Sequence, residues 1–320
     1  MRVAVILTGA PRFLKENSFW VKNRQFSSQA FKNIEFDYFT YFWDNLTDNV
    51  WPGNNKIYDV QSAEYFREFY DSKDSVLFNF NEIADKFMSD IIHYHNSDSE
   101  KKAGFLKKNK RLYNSFLFQS DDPHELNMGK GAWGQFLSIS YAAERFDYYL
   151  KDYDIIIKTR SDAILDTISE DIWLQLFTSI VNESKRLSGN YIFEKNIIYT
   201  NLLRNVAGYH FIDDKFLIAT PDVWQNYSKN SRESLLKLAT TDCLALYDLT
   251  FDQHTACDWE VVLWSKLFYY SQTSLKSIYQ NFKIDIGDIV LIRKNYNESE
   301  MEYKLVREDY YNFYLSNINN

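Results

Sequence analysis

Three short stretches of this chain are apolar almost without interruption, and that pattern constrains the fold more than any other feature. Residues 3–8 read VAVILT, residues 36–43 read FDYFTYFW, and residues 155–159 read IIIKT. A strand with one wet face alternates apolar and polar residues, whereas a strand covered on both faces has no need to. The runs are shorter than most helices, and their β-branched and aromatic content suits strands. Helical patterns lie between them at residues 63–70 and 83–95. Residues 133–150 add Phe136, Ile139, Ala143, Phe146 and Leu150 at steps of three and four. Covered strands alternating with amphipathic helices predict an α/β fold with a mostly parallel central sheet flanked by helices.

Further along, FLIAT at residues 216–220 reads as another strand. Thr220 and Pro221 read as a helix start, with Thr at the N-cap and Pro in the first turn. Asp258 is expected to cap the helical sequence WEVVLWSKLFYY, and IDIGDIVLIRKN offers one more strand. Residues 97–131, with their polar clusters, a proline and paired glycines, predict a long loop. No fixed-period repeat and no linker stands out, so one domain over residues 1–320, with a decorated C-terminal half, is expected.

Composition narrows the function. A formal net charge of −8 argues against nonspecific nucleic-acid binding. Two cysteines, Cys243 and Cys257, make neither a disulfide framework nor a zinc motif, which fits a reduced, cytoplasmic setting. The apolar runs fall short of the roughly 18 residues of a membrane helix, so no transmembrane segment is expected. The aromatic share of 18% serves the core, and Tyr and Trp also suit a stacking pocket for sugars or bases. His93, His95, His124, His210 and His254 show no metalloprotease spacing, and GxxxxGK, GxGxxG and GxSxG are absent. One positive patch, Lys101, Lys102, Lys107, Lys108, Lys110 and Arg111, suits a solvated loop face, a phosphate-bearing acceptor or a peripheral membrane contact.

In an open parallel sheet, ligands bind at the carboxyl ends of the strands. Three predicted strand ends here carry polar residues: Thr8-Gly9-Ala10-Pro11-Arg12, Asp44-Asn45 and Arg160-Ser161-Asp162. Glycine lets the backbone approach a ligand, arginine pairs with phosphate, and a carboxylate holds a divalent cation through oxygen. A nucleoside diphosphate with a metal fits that set. Each residue also has a plain reading: Arg12 as a surface charge and Asp162 as an ordinary loop acid. Trp133 suits a core anchor, and Glu260 in a first helical turn stabilises the helix dipole.

The series VAVILTGAPRF, FDYFTYFWDN, YDIIIKTRSDAIL and IDDKFLIATPDVW resembles a loosely defined group of GT-A glycosyltransferases of polysaccharide and glycan biosynthesis. The resemblance spans most of residues 1–265 through short pieces: Gly-x-x-Arg after the first strand, Trp-Asp after the second, Arg-x-Asp after the third, and a later Asp-x-Phe. It implies a GT-A-like domain with a nucleotide-sugar donor half over residues 1–165 and an acceptor half over residues 166–320. Gly9, Arg12, Arg160 and Asp162 would bind the donor, and Asp162 would hold Mn²⁺ or Mg²⁺. Asp214 and Glu260 would be catalytic groups acting on a glycan or glycolipid acceptor. Arg160 stands where the family carries the first acid of Asp-x-Asp, which leaves one metal carboxylate and puts metal dependence in question. Two other readings stand beside this one. They are a non-catalytic carbohydrate-binding or interaction protein on a degenerate fold, and a sugar nucleotidyltransferase.

Overall fold

The computed structural model describes residues 1–9, 11, 31–44, 62–79, 82–83, 86–87, 89–90, 123–161, 163–164, 168–187, 195–201, 203–206, 209–212, 216–238, 267–286, 290–294 and 303–305. For residues 123–133, 163–164, 203–206, 209–212, 290–294 and 303–305 the description is of the backbone alone. The first half runs β1 (Arg2–Gly9), β2 (Glu35–Trp43), α1 (Ala63–Tyr70), β3 (Asp74–Phe78), α2 (Pro123–Leu150), β4 (Ile155–Arg160) and β5 (Ala163–Ile164). The second half runs α3 (Glu170–Arg186), β6 (Ile197–Thr200), β7 (Leu203–Val206), β8 (Tyr209–Ile212), β9 (Phe216–Ala219), α4 (Pro221–Lys237), β10 (Ser274–Ser277), α5 (Ile278–Phe282), β11 (Val290–Lys294) and β12 (Tyr303–Leu305).

The continuous apolar runs become the middle of a seven-stranded sheet in the order β10-β6-β9-β4-β1-β2-β3. β1 pairs in parallel with β2 on one side and β4 on the other. β9 alone in this sheet runs antiparallel, against both β4 and β6. The sheet is therefore mixed but mostly parallel, and the expected α/β class holds. Both faces are covered. Ile6, Phe39, Tyr41, Ile156 and Leu217 pack with Phe136, Ile139 and Phe146 of α2 and Trp224 and Tyr227 of α4. Val5, Leu7, Phe42, Ile157 and Ile218 pack on the opposite face with Phe66 of α1 and Trp173 and Phe177 of α3. Covering on two faces is why these strands lack an alternating pattern. Among the described residues, most large aromatics serve this core; Tyr148, Tyr149, Tyr269 and Tyr279 are exposed.

Helix boundaries follow local chemistry. The Ser62 hydroxyl accepts from the Tyr65 N–H at 3.1 Å to open α1, and Ser169 does the same for Ile172 at 3.4 Å in α3. Thr220 takes the N-cap position of α4 as expected, but its hydroxyl makes no capping bond. Pro221 and Asp222 in the first turn define that start instead. α2 begins at Pro123, inside the stretch read as loop. Pro fits a first turn, and Gly129 and Gly131 cost a helix only about 1 kcal/mol each. The apolar stripe from Phe136 onward supplies the packing that such a start needs. Most of residues 83–95, and the expected cap at Asp258, lie outside the described residues.

The amino edge of the sheet is fastened by Asp37 at the start of β2. Its Oδ2 accepts from the Tyr153 hydroxyl at 2.9 Å and lies 3.2 Å from Arg2 Nη2, and its Oδ1 lies 3.1 Å from Lys73 Nζ. The Arg2 guanidinium also sits over the Tyr153 ring, 4.8 Å from its centroid. Burial, and then the bond to Asp37, push the Tyr153 phenol above its ordinary range. This cluster joins the starts of β1 and β2 to the turn between α2 and β4.

Two small sheets complete the description: a β7-β8 hairpin, and a three-stranded sheet in the order β12-β11-β5. The strand expected in IDIGDIVLIRKN is β11. It pairs with the segment directly after β4 instead of extending the main sheet. No helix among the described residues is long and apolar enough to cross a membrane.

Candidate functional site at the carboxyl edge

Chain order reverses between β1 and β4. From β1 the chain moves to β2 and β3 on one side, then returns to place β4 on the other side of β1. In open α/β sheets such a reversal leaves a crevice outside the strand carboxyl ends, where ligands bind. The two strands at the reversal are the ones ending in Gly9 and in Arg160, and their register sets Thr8 beside Arg160.

Each strand end has a distinct chemistry. Gly9 has φ 97°, a conformation that L side chains rarely adopt, and a Cβ built there meets nothing within 4 Å among the described residues. Glycine here thus serves backbone conformation and leaves open space beside the chain. On β4, Lys158 and Ser161 are 2% and 1% exposed, while Arg160 is half-buried. Lys158 lies between Ile6 of β1 and Leu217 of β9. Ile156 packs toward α2 and α4, so strand alternation turns Lys158 and Arg160 to that same face. Lys158, Thr159, Arg160 and Ser161 are all partnered. A buried lysine is costly unless paired.

At the end of β2 the Asp44 N–H donates to the Phe78 carbonyl at 2.9 Å. The Trp43 indole N–H donates to Ser138 Oγ at 2.5 Å, and Ser138 donates to the Gly134 carbonyl at 2.5 Å. This chain of bonds ties α2 to the carboxyl edge. One turn earlier on α2, Gln135 Oε1 is buried with no partner among the described residues. Because β9 is antiparallel, its amino end shares this edge: Phe216 lies beside Thr159.

Of the residues singled out from sequence, the structure brings Gly9 and Arg160 together on adjacent strand ends, with Asp44 one strand further along. Arg12, Asp162, Asp214 and Glu260 lie outside the described residues, as do Cys243, Cys257 and His254. His210 falls within β8, where only the backbone is described, as does Trp133 on α2. Sequence reading passed over Lys158 and Ser138. The signal for Ser138 was a hydroxyl within an apolar helical stripe, and for Lys158 a lone cation within a run of isoleucines. No family model matches this chain, and neither a curated protein nor a solved structure matches it.

Proposed function

We propose that this protein is a nucleotide-sugar-dependent glycosyltransferase of GT-A type that moves a sugar from a nucleoside diphosphate to a glycan or glycolipid acceptor. One observation carries the reading: at the reversal of strand order, a glycine with positive φ and a half-buried arginine close adjacent strands. A backbone without a side chain and a guanidinium are what a diphosphate needs on approach. The motif resemblance adds Arg12 and Asp162 to the donor site, and Asp214 and Glu260 as candidate bases for the acceptor hydroxyl. Two cysteines without a disulfide framework suggest a reduced, cytoplasmic setting.

The divalent cation rests on the resemblance alone. Among the described residues no group of three His, Cys, Asp or Glu side chains converges. On β4 the described motif residues offer a guanidinium, an ammonium and hydroxyls, a set unsuited to Mn²⁺ or Mg²⁺, which prefer carboxylate and carbonyl oxygens. The reading therefore routes no step through a metal. In it, Gly9 and Arg160 bind the diphosphate, the half-buried guanidinium offsets charge that grows on the leaving diphosphate, and a carboxylate takes the acceptor proton.

Thermal denaturation with UDP, GDP, ADP and CDP, each with Mn²⁺ and with EDTA, tests it. A nucleotide at 100 times its Kd adds about 2.7 kcal/mol, which for a chain of this length is roughly 4 °C. One nucleotide is expected to give such a shift, and Arg160→Gln is expected to remove most of it. If no nucleotide raises the midpoint, the reading is wrong.

A further inference from the structure

Gln135 on α2 carries an acceptor that the fold leaves unused. Its Oε1 is buried and has no partner among the described residues. Such orphans are rare in native proteins and cost stability. The position does not call for an amide. Gln135 stands three residues before Ser138 and four before Ile139, on the helical stripe that packs against the sheet. An unbranched apolar side chain would serve that stripe without leaving an oxygen unpaired. α2 begins at Pro123, so Gln135 lies in the body of the helix and offers its side chain, not a free terminal N–H.

The direction of α2 places that side chain. The helix ends at Leu150, and Tyr153 just beyond it meets Asp37 at the amino edge. Earlier residues of α2 therefore lie nearer the carboxyl edge. Ser138 is already level with the last residue of β2, through its bond with the Trp43 indole. Gln135 is about 4.5 Å further along the axis, and helical side chains tilt toward the N-terminus. It thus overhangs the strand ends. The sheet face beneath α2 carries Tyr41, Thr8 and Arg160 in one row, with Trp43 two residues beyond Tyr41. Trp43 and Gln135 are both half-buried, at the boundary of core and crevice. Rotation about the last side-chain bond of Gln135 is soft and can turn the oxygen outward.

We propose that Gln135 reads the base of the nucleotide, its Oε1 accepting from a base N–H, and so helps to set which nucleotide is bound. The assignment rests on the donor-site reading above. A diphosphate at Gly9 and Arg160 leaves the β2 side of β1 for the rest of the ligand, and a carboxamide beside an aromatic ring suits the edge and face of a base.

The test is titration calorimetry on the full-length chain in EDTA, with UDP, GDP, ADP, CDP, ribose 5-diphosphate and inorganic pyrophosphate. The wild-type chain is expected to bind one nucleoside diphosphate about tenfold or more tighter than ribose 5-diphosphate. Equal affinity for the two overturns the proposal without any variant. Gln135→Met keeps length and helix propensity and removes the acceptor. It is expected to bind the preferred nucleotide about tenfold or more weakly, to hold ribose 5-diphosphate and pyrophosphate within about twofold, and to melt at or above the wild-type midpoint. Unchanged nucleotide binding overturns the role of Gln135 while the donor site stands. An equal loss for all three ligands, or a lower melting midpoint, makes Gln135 a structural residue and overturns it as well. No binding of any probe by the wild-type chain overturns both this assignment and the donor site.

Discussion

Asp37→Asn should cost this protein about 2 kcal/mol of stability and leave nucleotide binding untouched, because the cluster it breaks lies at the sheet edge opposite the candidate site. The Asp37 side chain is 9% exposed, while Arg2 and Lys73 are 45% and 55% exposed. Exposed ion pairs are worth about 0.2–1 kcal/mol, and breaking a fully buried pair costs about 3–5 kcal/mol. Here the cations can rehydrate once the carboxylate is neutral, so the pair loss belongs near the lower range, about 1 kcal/mol for the two together. The Tyr153 hydroxyl, 2.9 Å from Oδ2, loses a charged acceptor, and charge-assisted bonds are roughly twice as strong as neutral ones. That adds about 1 kcal/mol. At this chain length the sum is roughly 3 °C in melting midpoint. Urea denaturation of Asp37→Asn, Tyr153→Phe and the double variant gives the coupling directly, expected near 1 kcal/mol. A cost below about 0.5 kcal/mol with no coupling to Tyr153 would refute the view that this cluster fastens the amino edge.

Gly9→Ala should destabilise by about 1–2 kcal/mol through backbone strain alone, since the added methyl has no described neighbour to strike, and it should weaken nucleoside diphosphate binding. An unchanged melting midpoint would contradict the strain argument. Burial raises the phenol pKa of Tyr41, Tyr153, Tyr199 and Tyr227 above the ordinary value of 10.0. The native state then holds these protons longer than the unfolded chain. Stability is fully present below pH 10 and falls as pH rises past it, by up to about 1.4 kcal/mol per pH unit for each group. Denaturation midpoints measured from pH 7 to 11 should stay level and then drop, and Tyr227→Phe should soften that drop. A Tyr227→Phe profile parallel to wild type would count against the role of buried phenols.

Much of the frame could be read from the chain because burial on two faces leaves a plain trace. The runs at residues 3–8, 36–43 and 155–159 had no polar alternation to confuse them, and they became β1, β2 and β4. The helix at residues 63–70 was equally clear, with Phe66 and Tyr70 buried on one side. Pairing partners were harder, because they depend on contacts distant in sequence. Nothing local in FLIAT says that it runs antiparallel between β4 and β6, and nothing in VLIRK says that it pairs with Ala163 and Ile164. The start of α2 was missed because Gly129 and Gly131 mimic a loop, although helix packing downstream outweighs their cost. At the site, Gly9 and Arg160 stood out as residue types that seldom end a buried strand without reason. Lys158 did not, since a cation within a strand reads as a surface position until both of its faces are seen to be covered.

The central claim is that the carboxyl edge between β1 and β4 activates a nucleotide sugar. Its most direct test is release of nucleoside diphosphate from a panel of UDP-, GDP- and ADP-sugars and CDP-linked donors, with and without Mn²⁺ and simple glycan acceptors. The wild-type chain is compared with Arg160→Gln, Asp162→Asn, Asp214→Asn and Glu260→Gln. The account predicts that one donor class is turned over, that Arg160→Gln and Asp162→Asn raise the donor requirement, and that Asp214→Asn or Glu260→Gln lowers transfer by about a hundredfold with donor affinity retained. Wild-type release from no donor, or release that Arg160→Gln leaves unchanged, would contradict it.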